Sequence, residues 1–112
     1  MKYALLIYET PGALDGVGED ERKGMYAEYM ALSQDPRCVG GAKLQPVQTA
    51  TTVRVRDGQA LTTDGPFADT KEVFGGYYVF EAGNLDEALE LAGRIPAARY
   101  GGSVEVRPVA ER

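Results

Sequence analysis

Histidine is absent from all 112 residues, and with it the one side chain whose unperturbed pKa lies between pH 5 and 8. A Ser-His-Asp triad or a Cys-His pair is therefore excluded. Zinc, facial-triad iron and His-ligated haem need imidazole or several thiolates, whereas the sulfur ligands here are Cys38, Met1, Met25 and Met30. A carboxylate-only site for Mg²⁺ or Ca²⁺ stays formally open, but no Asp-x-Asp-x-Asp loop is present, and we expect neither metal nor cofactor. One cysteine cannot close an internal disulfide. With no signal-peptide pattern at the start of the chain, this predicts a reducing, cytoplasmic setting. Positive charge is scarce too: 12 Lys and Arg stand against 17 Asp and Glu, a net −5, the wrong sign for gripping a phosphate backbone, so no nucleic-acid partner is expected. The N-terminal apolar run, Tyr3 to Tyr8, is too short to cross a membrane.

What remains has the size and composition of one domain over residues 1–112, with 44% hydrophobic and 26% charged residues. Residues 2–9, KYALLIYE, are β-prone and almost continuously apolar, as in a central strand covered on both faces. After a turn-rich stretch, Glu19, Asp20 and Glu21 suit the positive end of a helix dipole. Met25, Tyr29 and Leu32, flanked by Tyr26 and Met30, recur at helical spacing over about 19–34, ending before Pro36. Residues 37–50 read as an irregular loop with a short edge strand. Over 51–63, Val53 and Val55 alternate with polar residues up to Asp57-Gly58, a hairpin signal. A three-residue turn would set Val53 opposite Leu61 with both facing the core, and is preferred because the alternative register buries Arg54 or exposes Leu61. YYVFE at 77–81 is a further strand. Asn84 with Glu87 has the form of a capping box, followed by a stripe of Leu85, Ala88, Leu89, Ala92 and Ile95 that Pro96 stops. Ser103 to Val109 alternate as a last strand.

Strand, helix, hairpin, strand, helix, strand is the ferredoxin-like α+β order, with two helices on one face of an antiparallel sheet. YALLIY and YYVF offer large side chains to both faces, so the second face would leave apolar surface wet in a lone copy. A homodimer packed sheet against sheet is expected.

TTVRVRDG at 51–58, TDGPFADTKEVFGGYYVFEA at 63–82, LDEALELAGRIPAARYGGSVEVRPV at 85–109 and the opening KYALLIY together resemble the YCII-related family, specifically its DGPF branch, named for the tetrapeptide standing here as Asp64-Gly65-Pro66-Phe67. The resemblance covers nearly the whole chain. It implies a ferredoxin-like fold that pairs into a dimeric α+β barrel, and small-molecule chemistry, since the wider group includes monooxygenases and muconolactone isomerases. A non-catalytic ligand-binding or regulatory module tied to alternative sigma factor signalling is the other function it implies. The His-Asp pair credited to better-studied YCII proteins is missing here: the first helix has no histidine, and Ile95-Pro96 stands where an Asp-Pro step would be.

Two readings of Asp64-Gly65-Pro66-Phe67 stand side by side. In one it is a rigid turn in which Asp64 accepts backbone hydrogens and Phe67 plugs the core. In the other, Asp64 is a base at the rim of a cleft, Lys71 its electrostatic partner, and Glu72 and Phe67 line the ligand. Arg99 and Tyr100, after the second helix, would reach the strand ends. Arg99 could clamp a ligand carboxylate in two parallel hydrogen bonds and Tyr100 could donate from its hydroxyl, so a small anionic ligand is the expected partner; pairing of Arg99 with Glu105 or a second copy is the alternative. Tyr26 and Tyr29 are read as core or pocket lining, and Cys38 as an incidental thiol.

Overall fold

The computed structural model describes residues 1–65 and 70–111. β1 (Lys2–Glu9), β2 (Cys38–Lys43), β5 (Val73–Glu81) and β6 (Ser103–Pro108) form one antiparallel sheet in the order β2-β5-β1-β6. β3 (Thr51–Arg56) and β4 (Gln59–Asp64) pair with each other in a separate hairpin. α1 (Glu19–Ser33) and α2 (Leu85–Gly93) supply the helical layer. This is the expected ferredoxin-like α+β arrangement, with the hairpin inserted between β2 and β5.

Period-two alternation splits β1 between two environments. Tyr3, Leu5 and Ile7 are buried beneath the helices with Phe80, Leu32, Ala88, Leu91 and Ile95. Ala4, Leu6 and Tyr8 face the other way and are only half-buried. The cross-strand register adds Val79, Tyr77 and Phe74 of β5 to that second face, beside Arg107, Glu105 and Ser103 of β6. Tyr8 and Phe74 meet there edge to face, with ring centroids 5.6 Å apart.

α1 carries Glu19, Asp20 and Glu21 in its first turn, where the helix dipole favours them, and buries Met25 and Leu32. α2 starts as its sequence predicts: the Asn84 side chain accepts from Glu87 N at 2.9 Å, while Glu87 reaches back to Gly83 N at 3.1 Å. The predicted stripe on α2 needs correction. Leu85 and Leu89 are exposed, and Leu91 takes their place beside Ala88, Ala92 and Ile95, because the spacing 88, 91, 92, 95 defines the face over the sheet and 85 and 89 lie off it.

Two further expectations change. β5 begins at Val73 rather than Tyr77, since a bulge at Gly75, between the pairs Ile7–Gly76 and Tyr8–Phe74, lets the ladder continue. The hairpin register is Val53 opposite Thr62 and Arg54 opposite Leu61, around a two-residue turn with φ 51° at Asp57 and 77° at Gly58. Both central residues are left-handed, as a type I′ turn requires. The hairpin stands clear of the core, with Val53 61%, Val55 72% and Leu61 47% exposed, so burial does not choose the register and the turn does. The radius of gyration, 15.9 Å, exceeds the roughly 13 Å of a compact chain this long.

The ends of the two helices are joined by charge. Arg37 binds both Asp35 oxygens, at 3.0 and 2.8 Å, and Glu87 at 3.0 Å. Hydrogen bonds from the Arg37 side chain and backbone hold the Asp35 carboxyl down at about 2. A depressed carboxyl pKa contributes stability that is complete above its unfolded value near 4 and is lost as pH falls through 2. Asp35→Asn is therefore expected to flatten the fall in Tm between pH 4 and 2 in thermal melts; parallel wild-type and variant curves would refute this.

Candidate functional site

Where β1 ends, its buried row of Tyr3, Leu5 and Ile7 continues to Glu9, placing a carboxylate on the helix side of the sheet. Glu9 opens a cleft of about 360 Å³ between the strand end, α1 and the segments 10–15 and 46–48. Met25, Leu14, Val47 and Val73 give it apolar walls, and Tyr29 and Tyr100 bring phenols to it. A cleft of this size is at the small end of ligand sites, which combine apolar lining with a few polar groups.

The loop after β1 is held as a chain of turns by backbone bonds from Ala13 N to Thr10 O, Asp15 N to Gly12 O and Val17 N to Leu14 O. The Thr10 hydroxyl donates to Gly101 O at 2.7 Å, tying this wall to the segment after the 3-10 turn Pro96–Ala98. Arg22 donates to the carbonyls of Leu14, at 2.6 Å, and Val17, at 3.3 Å. Its guanidinium builds the wall.

Burial, with the negative charge of Glu9, raises the Tyr29 hydroxyl above the ordinary phenol pKa, against a backbone hydrogen bond at Ala97 that lowers it. Tyr29 therefore stays protonated and able to donate. Its backbone carbonyl accepts from the Tyr78 hydroxyl at 2.9 Å, and burial pushes Tyr78 to about 12. These contacts fix the α1 backbone carrying Tyr29 against β5. Tyr100 donates to Glu21 at 2.5 Å, and that bond raises its pKa.

Of the residues singled out from sequence, Tyr100 lines the cleft. Arg99 lies beside it but donates to both Glu28 oxygens at 2.8 Å; it forms an ion pair with α1, neither with Glu105 nor with a ligand. Tyr26 is 67% exposed on the outer side of α1. Asp64 is exposed at the end of β4, opposite Thr51. Lys71 is exposed and Glu72 half-buried just before β5, and neither lines the cleft. Phe67 lies outside the described residues. Sequence reasoning missed Glu9 and Arg22. The signal for Glu9 was its place in the strand period, two residues after Ile7, where an apolar side chain was due.

Among the described residues no group of three or more His, Cys, Asp or Glu could hold a metal ion, and no helix is long and apolar enough to cross a membrane.

The YCII-related domain model matches residues 1–112. The chain belongs to the YCII-related family. An uncharacterised protein of Rhizobium meliloti is 34% identical over 115 residues, covering 98% of this chain and 93% of the relative. The solved 5-chloro-2-hydroxyhydroquinone dehydrochlorinase of Burkholderia phenoliruptrix, in complex with 2,5-dihydroxybenzoquinone, superimposes with a TM-score of 0.56 at 18% identity, covering 100% of this chain and 96% of that one. At that identity the likeness is one of fold, and it agrees with the α+β architecture of this YCII-related chain.

Proposed function

We propose that this YCII-related protein is a homodimeric small-molecule enzyme or binder whose ligand occupies the cleft at the end of β1. The observation that carries the reading is the placement of the Glu9 carboxylate and the half-buried Tyr29 side chain in one apolar-walled cleft of about 360 Å³. A carboxylate accepts a proton or hydrogen bond from the ligand, and a phenol kept protonated donates one to a ligand oxygen; together they handle a hydroxylated or carbonyl-bearing ring. The structural neighbour was solved with a one-ring compound of that kind, 2,5-dihydroxybenzoquinone, which supports the ligand class. Asp64 and Lys71 lie away from this cleft, and we assign proton handling to Glu9 and Tyr29 instead.

The homodimer is supported by the sheet face carrying Ala4, Leu6, Tyr8, Phe74, Tyr77 and Val79, which lies opposite the two helices. A second hollow, of about 530 Å³, lies at the end of the sheet and has Phe74, a residue of that face, in its lining.

Thermal-shift titration with 2,5-dihydroxybenzoquinone tests the ligand site. The wild-type Tm is expected to rise with ligand, by mass action on the folded state. Glu9→Gln and Tyr29→Phe should melt within a few degrees of the unliganded wild type yet lose that rise. A rise of equal size in both variants counts against the cleft.

A further inference from the structure

Between β1 and β2, strand β5 carries two glycines shortly after Val73, the residue that pairs with Glu9. Gly76 pairs with Ile7 of β1 on one side and with Lys43 of β2 on the other. Gly75 lies directly beneath the Glu9 carboxylate: a Cβ there would come within 2.8 Å of its carboxyl carbon. Strand alternation places Glu9 in the row of Ile7, and the pairing of Lys43 with Gly76 sets it on that same side. The result is a trough beside the bare backbone of Gly75 and Gly76, with a carboxylate on one bank and an ammonium on the other, two strand spacings across and two residues along the sheet, or roughly 12 Å between their backbones.

Glu9, Lys43, Gln45, Phe74 and Gly75 all line the hollow of about 530 Å³, which shares Glu9, Pro46, Val47 and Val73 with the cleft holding Tyr29. The two hollows thus meet at Glu9. Cations elsewhere around the cleft are occupied, Arg22 by backbone carbonyls and Arg99 by Glu28. Among the described residues Lys43 has no ion-pair partner.

We propose that Lys43 anchors the acidic group of the ligand, which makes the ligand a one-ring organic anion lying over Gly75-Gly76. This deepens the function proposed above and rests on it. The polarity of the trough sets the orientation. An anionic group is repelled by Glu9 and drawn to Lys43, so the neutral, hydroxyl-bearing end of the ring turns toward Glu9 and Tyr29. Val47, Val73 and Phe74 supply the apolar sides that a ring needs.

4-Hydroxybenzoate, with its carboxylate and hydroxyl at opposite ends of one ring, and the neutral 4-hydroxybenzamide are the probes, titrated calorimetrically. Lys43 is exposed on an edge strand, so its variants should fold. Wild type is expected to prefer the acid. Lys43→Gln should weaken binding of the acid about ten- to a hundredfold, as loss of a hydrogen bond to a charged group does, while leaving the amide unchanged; Lys43→Arg should restore most of the preference. Glu9→Gln should weaken both probes. Unaltered binding of the acid by Lys43→Gln, with both probes lost in Glu9→Gln, would overturn the anchor and leave the cleft standing. Wild type that takes up neither probe overturns the ligand class together with the anchor.

Discussion

Gly102→Ala is expected to be among the most destabilising single-methyl changes in this chain. A Cβ at Gly102 would overlap the carbonyl oxygen of Tyr8 and come within 3.0 Å of that of Ala97. Both obstacles are backbone, and both are held. Tyr8 belongs to the central strand β1, where it pairs with Phe74 and Ser103, and Ala97 O accepts from Gly102 N at 2.9 Å. Neither can retreat without breaking the β1–β6 ladder or the 3-10 turn that carries the cleft wall. We expect a loss of about 3 kcal/mol or more, in line with overpacking against unyielding neighbours. At roughly 4–8 °C per kcal/mol for a domain near this size, that is a fall in Tm of about 12 °C or more. A denaturant or thermal melt checks it, and a Tm within about 3 °C of wild type would mean that strand and turn part more easily than their hydrogen bonds suggest.

The elements readable from sequence are those whose cause is local. The acidic first turn of α1, the Asn84–Glu87 cap and the apolar β1 each sit within a few residues of the structure they set. What escaped depends on distant partners. Gly75-Gly76 looked like an interruption before YYVFE because nothing in the segment says that β1 supplies a ladder the bulge can bridge. The hairpin register was argued from a core that the hairpin never reaches, and in its absence the Asp-Gly turn preference decides. Leu85 and Leu89 belong to an apolar pattern as good as the one that is buried, and only the position of the sheet selects Leu91.

The site divides in the same way. Tyr100 could be placed because it follows α2 into the strand ends. Arg99 could not be assigned a partner, since its partner Glu28 is 71 positions away. Glu9 was hidden by its setting: a carboxylate closing an apolar strand looks like the solvated end of that strand. Lys43 fell in a stretch read as an irregular loop with a short edge strand; that strand is β2, but its pairing with Gly76, and hence the position of Lys43 on the side of Glu9, had no sequence signal.

Leu6→Lys is expected to convert the proposed homodimer to a monomer. Burying about 400 Å² of apolar surface between two copies is a gross gain on the order of 10 kcal/mol, and association costs about 4–15 kcal/mol in lost freedom. The balance is narrow enough for one buried charge to tip it. Leu6 lies on the inner strand β1, opposite Tyr77 on one side and Glu105 on the other. In a separated copy an ammonium at position 6 stays hydrated and lies beside the Glu105 carboxylate, so folding loses little. Between two sheets the same ammonium is desolvated among Tyr8, Tyr77 and Val79, at a cost of several kcal/mol. Light scattering at micromolar concentration should read twice 12.1 kDa for wild type and 12.1 kDa for the variant. Wild type already at the lower mass would overturn the homodimer, and a variant that keeps the higher mass would place the contact between copies elsewhere than on this face.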